Sequence, residues 1–226
     1  WKIFYGYGGG YVSGSPFEDL TIAVPLAAET GAEVVIPHYR LAPESPWPAA
    51  IDDGFSVFKE MSSEPLALVG ESAGGNLCLT LILRAFQLGI RLPQAAAFLS
   101  PWCDLSNAGP SVVNNDGRDP ALSAQHIDFA AKYYVGEHDP TNPMISPIYG
   151  VFDKSFPPSI ITTGSRDLLM SQAMGLRDVL KDNNVPVELC LWKDLWHVFE
   201  WDYRLPESSE SIRQISNWLQ SYMPNF

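Results

Sequence analysis

The 226 residues suit one α/β core, and 46% hydrophobic against 18% charged content marks a globular sequence rather than a disordered one. A net charge of −12 argues against nucleic acid, whose phosphates would be repelled, and no run reaches the roughly 18 apolar residues of a membrane span, which excludes stable membrane insertion as an expectation. Cys78, Cys103 and Cys190 are odd in number and lack metal-ligand spacing, so they read as reduced structural thiols of a cytosolic protein.

In chain order, apolar β-rich runs alternate with helical patterns. Trp1-Lys2-Ile3-Phe4-Tyr5 opens as a strand with no lead-in, as in the middle of a longer protein. Predicted strands follow at Lys2 to Tyr7, Glu33 to Tyr39, Pro65 to Val69, Ala95 to Ser100, Ser159 to Thr163 and Val187 to Trp192. Each is nearly continuous in apolar residues, as in parallel strands covered on both faces. Helical spacing occupies Asp19 to Glu29, Ala49 to Met61, Asn76 to Gln87, Ser171 to Lys181 and Pro206 to Tyr222. This alternation predicts a mostly parallel twisted sheet with right-handed crossovers and helices on both faces. One stretch breaks the rhythm: residues 103–158 exceed an ordinary connection, carry a helical pattern around Ser123 to Tyr134, and contain Pro140, Pro143 and Pro147. Such an excursion from the top of a sheet reads as a lid or binding element.

The chemistry centres on Gly70-Glu71-Ser72-Ala73-Gly74-Gly75, a G-x-S-x-G sequence between the strand ending at Val69 and the helix beginning near Asn76. Strand, sharp turn and helix are what a nucleophile elbow requires, with Gly70 and Gly74 small enough for strand and helix to meet. Ser72 is therefore the predicted nucleophile. It needs a base and an orienting acid. Of His38, His126, His138 and His197, only His197 follows the last strand in a loop, where sites of doubly wound sheets collect. Asp167, in the loop after the Ser159 strand, completes the order Ser, Asp, His, and Asp194 is its competitor by proximity to the base. The oxyanion needs backbone donors. The N–H of Ala73 supplies one, and the loop Tyr7-Gly8-Gly9-Gly10-Tyr11 the others. Gly6 and Gly8 begin a G-x-G-x-x-G pattern, but Tyr11 stands where the third glycine belongs, so a dinucleotide fingerprint fails.

Together with Tyr39-Arg40-Leu41-Ala42-Pro43-Glu44, Trp47-Pro48-Ala49-Ala50-Ile51-Asp52-Asp53 and Ser100-Pro101-Trp102-Cys103-Asp104-Leu105, these motifs give the chain a resemblance to the hormone-sensitive-lipase-like esterases. That α/β-hydrolase family is named for its H-G-G-G loop. The resemblance implies a triad of Ser72, Asp167 and His197, and an oxyanion hole of the Gly9, Gly10 and Ala73 N–H groups. It further implies hydrolysis of short-chain carboxylic esters with no cofactor or metal, and a homodimer through the last strand. Tyr7 stands where the family has histidine, and the family's upstream cap helices and two further strands lie outside the matching residues.

Tyr39 to Glu44 and Asp53 are expected to be scaffolding, with arginine and carboxylates pinning neighbouring loops. Trp102, Tyr134, Trp196 and Phe199 could line an acyl pocket or simply pack. Two rival functions share this scaffold: a non-catalytic small-molecule-binding protein, and a lactone or amide hydrolase using the same triad.

Overall fold

The protein is described by a computed structural model over residues 1–224. Its strands are β1 (Lys2–Gly6), β2 (Glu33–Val35), β3 (Leu66–Glu71), β4 (Ala95–Leu99), β5 (Ser159–Gly164) and β6 (Val187–Trp192). They form one sheet in the order β2-β1-β3-β4-β5-β6, and every pairing is parallel. All residues of β3, β4 and β5 are buried, which explains their unbroken apolar character. β6, at the edge, is only partly covered.

Helices close both faces. α1 (Leu20–Thr30) and α7 (Pro206–Ser221) pack together on one side, α7 reaching β4 and β5. α2 (Ala49–Met61) packs on α3 (Ala73–Gln87), and α3 and α6 (Met170–Asp182) both touch the 3-10 turn Pro147–Tyr149 on the opposite side. α3 begins at Ala73, earlier than the predicted Asn76, because the elbow enters the helix without an intervening loop. It is buried nearly all round, with Leu77, Leu79, Leu81 and Ile82 fully buried, each contributing about 1.5–3 kcal/mol by removal from water.

The second strand is shorter than its apolar run implies. Pairing with β1 ends at Phe4↔Val35, and residues 36–39 leave the sheet. β2 is an edge strand with one partner, and Pro37 has no N–H to extend a ladder. The departing segment carries Tyr39 into the interior, where it supports the loop after β1.

The segment 103–158 contains α4 (Pro110–Asn114), α5 (Ala124–Val135) and the 3-10 turn. Ser123 caps α5 by accepting the His126 N–H, and α5 buries Ile127, Ala130 and Tyr134.

The sheet order places the site. After β1 the chain moves outward to β2, then crosses back so that β3 lies on the other side of β1. The loops leaving β1 and β3 therefore diverge at a switch point, and a crevice opens at the carboxyl ends of these strands.

Candidate active site

Ser72 stands between the end of β3 and the first residue of α3, with φ 52° and ψ −120°. This conformation is strained for a side chain other than glycine. It is held by three backbone hydrogen bonds: the Ser72 N–H donates to Leu99 O at 2.9 Å, and the Trp102 and Asn76 N–H groups donate to Ser72 O at 3.0 and 3.1 Å. Close approach of β1, β3 and α3 depends on missing side chains, since a Cβ on Gly74 would collide with Gly6 O and one on Gly70 with Gly74 O.

His197 arrives from the loop after β6. Its Nε2 lies 3.0 Å from Ser72 Oγ, and its Nδ1 lies 3.0 Å from Asp167 Oδ1. With the proton on Nδ1, the ring donates to Asp167 and leaves Nε2 free to accept the serine proton. Asp167 is fully buried and further held by Thr163 Oγ1 at 2.8 Å and the Leu169 N–H at 2.8 Å. Burial disfavours the His197 cation, but the Asp167 charge and hydrogen bond, with Asp119 and Glu200 nearby, outweigh it and raise its pKa. Burial likewise opposes the Asp167 anion, and the His197 charge and the surrounding donors reverse that, holding the carboxylate below its ordinary range. Asp194 lies on an exposed turn, its N–H bound to Ser165 Oγ at 2.8 Å.

Gly9 and Gly10 have φ of 98° and 63°, and the Val12 and Ser13 N–H groups turn back to Gly9 O, closing the loop. Ala73 begins α3, so its N–H is among those an α-helix leaves without an internal partner. The loop is braced by rings. Tyr7 stacks on Tyr39 with centroids 4.2 Å apart, Tyr39 Oη donates to Tyr7 O at 2.6 Å, and Tyr7 Oη donates to Tyr39 O at 3.3 Å. Tyr11 stacks on Tyr134 at 3.8 Å and donates to Asn76 Oδ1 at 2.8 Å. Tyr7 thus has its own rigid support where the family pattern places histidine. The Arg40 guanidinium grips Asp53 through two bonds of 2.9 and 2.8 Å, tying the segment after β2 to α2.

Ser72 and His197 open on a cavity of about 370 Å³, within the size range of small-molecule sites. Trp102, Leu122, Ile127 and Ala130 supply apolar lining, and Tyr7, Glu18, Asp19, Glu71 and Trp201 line it as well. Of the four aromatic residues expected to line a pocket or pack, Trp102 lines the cavity. Tyr134 stacks on Tyr11, Phe199 packs in the interior on Trp192, and Trp196 faces a separate surface depression. Among the described residues, no group of three His, Cys, Asp or Glu side chains is placed to share a metal ion.

Residues 3–201 match the α/β hydrolase fold family. The chain belongs to the α/β-hydrolase family. It is 32% identical to the acetyl-hydrolase of Streptomyces hygroscopicus over 97% of its length and 75% of that protein's, and 28% identical to an esterase of Acinetobacter venetianus over 97% and 74%. Among solved structures, a hormone-sensitive lipase from a metagenome library superposes with a TM-score of 0.94 at 33% identity, covering 98% of this chain and 78% of that one. This α/β hydrolase therefore sits on the hormone-sensitive-lipase-like branch, and it spans about three quarters of each of these relatives.

Three features of the site were not foreseen. Asp119, within the 103–158 segment, accepts N–H groups from both the Asp167 and the His197 loops. Asp19 and Glu71 are buried beside the glycine loop. A carboxylate ending an otherwise apolar strand is a signal that could have drawn attention to Glu71. Nothing in the acidic stretch around Asp119 distinguishes it from its neighbours.

Proposed function

We propose that this α/β hydrolase is a serine carboxylesterase acting on short-chain acyl esters through an acyl-enzyme intermediate. The observation that carries this reading is the chain of 3.0 Å contacts from Ser72 Oγ through His197 to Asp167 at the mouth of the cavity. His197 takes the Ser72 proton as Oγ attacks the ester carbonyl, and then returns it to the departing alcohol. Asp167 keeps the imidazole in the required tautomer and stabilises its cation. Gly9, Gly10 and Ala73 N–H groups are the proposed donors to the oxyanion, each worth about 3–4 kcal/mol in the transition state. Water activated by the same histidine then releases the acid.

Several observations favour a short acyl chain: the limited cavity, its wall of Trp102, Ile127 and Ala130, and the likeness to a protein named an acetyl-hydrolase. The 103–158 segment supplies most of that wall, so we assign it a cap-like role within one hydrolase domain. We also propose a homodimer through β6, whose outer edge has no strand partner and whose Leu191 is exposed. Three free cysteines support a cytoplasmic setting, and no described helix is long and apolar enough to cross a membrane.

The test is release of p-nitrophenol from p-nitrophenyl esters, acetate through dodecanoate, by the protein and its Ser72→Ala variant. Fast turnover of the short esters that disappears in the variant supports the reading. Folded protein with no turnover on any ester would favour a binding protein, and turnover of lactones or amides instead would move the bond.

A further inference from the structure

Glu71 is the last residue of β3, next to the proposed nucleophile, and it is fully buried. Asp19, just before α1, is 3% exposed and lies beside it. Nothing in the proposed chemistry uses either. Written as a carboxylate, Glu71 meets no donor in good hydrogen-bond geometry at either oxygen, although the Gly8 N–H lies nearby. Asp19 Oδ1 accepts Trp201 Nε1 at 2.8 Å, so that carboxyl is anchored from the loop after His197. The Glu71 carboxyl fills the place a Cβ would occupy at Gly8, and the Gly8 N–H faces both acids. Gly8 immediately precedes the proposed oxyanion donors Gly9 and Gly10.

We propose that Glu71 and Asp19 form a pair of positioning residues that clasp Gly8, so that the oxyanion loop is held in register with Ser72. The inference rests on the esterase reading for its catalytic consequence, although the clasp itself does not. Two buried carboxylates with no cation between them would repel, and each uncompensated buried charge is costly. One retained proton resolves this: one Glu71 oxygen becomes an O–H that donates to Asp19, and the other remains an acceptor toward the Gly8 N–H. Burial raises Glu71 well above its ordinary value, and Asp19 and Glu200 raise it further. Burial also lifts Asp19 to about 6, against the pull of Trp201 and Glu71. The titratable groups that act most on the pair are Glu18, Tyr5, Tyr7, Tyr39 and Glu200, none of them a cation, and His197 lines the same cavity. Both shifts run in the direction that favours keeping one proton on the pair.

The experiment compares the whole chain with its Glu71→Ala and Glu71→Gln variants, using p-nitrophenyl acetate kinetics and hydrogen exchange across residues 8–14. In Glu71→Ala, kcat should fall about 10- to 100-fold with KM within twofold, part of the effect of losing an oxyanion donor, and exchange in the loop should accelerate. Glu71→Gln keeps the volume, an acceptor and a donor toward Asp19, and should restore kcat to within about threefold of the unmodified protein and loop exchange to its level. Asp19→Ala should reproduce Glu71→Ala, and combining the two should add little. The proposal is overturned if Glu71→Ala keeps both kcat and loop protection. It is equally overturned if Glu71→Gln is as damaged as Glu71→Ala, which would show that the role needs the charge. An inactive but folded parent protein would refute the esterase reading instead, and loop exchange would still decide the clasp. Should Glu71→Ala fail to fold, Glu71→Gln against Asp19→Ala carries the comparison.

Discussion

Asp119 Oδ2 accepts the backbone N–H of His197 at 3.3 Å. The same oxygen accepts the Leu168 N–H at 3.1 Å, and Oδ1 accepts the Ala121 N–H at 2.9 Å, so one carboxylate lashes the proposed base loop, the proposed acid loop and the edge of the cavity wall together. Asp119→Ala removes these acceptors at a buried position. We expect stability to drop by about 1–3 kcal/mol through the unpaired N–H groups. We also expect kcat/KM to fall about 10- to 100-fold, because small misplacements of reacting groups are costly. Urea denaturation and ester kinetics on the same preparation check both.

The nucleophile separates chemistry from strain. Ser72→Ala should lower kcat by roughly four to six orders of magnitude while the protein stays folded. Ser72→Gly should be as inactive, yet about 1 kcal/mol more stable than Ser72→Ala, since only glycine accepts φ 52° and ψ −120° without strain. Denaturant midpoints of the two variants measure the difference. Equal midpoints would show that the elbow stores no strain.

The pH dependence follows from the His197–Asp167 pair. His197 must be neutral to accept a proton, and its pKa is raised, so the acid limb of kcat/KM should lie above the ordinary histidine value of about 6.5. Asp167→Asn should move that limb downward and cost roughly 10⁴ in kcat. Stability runs the other way. The lowered Asp167 contributes above its ordinary value of about 3.9 and loses this as pH falls through its folded pKa. The raised His197 contributes below about 6.5 and loses this as pH rises through its own. The stability difference between parent and Asp167→Asn should therefore peak between about pH 4 and 6.5, below the activity plateau. Urea titrations across this range test it.

Gly74 carries the closest steric constraint. A Cβ there would overlap Gly6 O and lie 2.5 Å from Tyr7 O, and both neighbours are backbone that cannot swing aside. Gly74→Ala should cost about 3 kcal/mol or more, or prevent folding, whereas Gly117→Ala, in open space at φ 74°, should cost about 1 kcal/mol from strain alone. Thermal unfolding of the two variants compares the mechanisms.

Much of this molecule is readable from local chemistry. The apolar runs of β3, β4 and β5 imply strands covered on both faces, because a parallel strand buried by helices has no polar side to show. The elbow is legible because strand, Gly-x-Ser-x-Gly and helix are contiguous, and the glycine spacing states the steric demand directly. Position after a strand, with the chain order Ser, Asp, His, is what points the sequence reading to His197 and Asp167. What the chain alone leaves open is decided by neighbours distant in sequence. Glu33 to Tyr39 looks like a full strand, yet only Val35 and its two predecessors pair, because the run lies at a sheet edge and Tyr39 is drawn to Tyr7. Asp119 differs from the acids around it only through the two loops that fold onto it. The burial that raises the Glu71 pKa arises where Asp19, Gly8 and Trp201 converge from three separate segments, and a shift set by desolvation exists only once that convergence has excluded water.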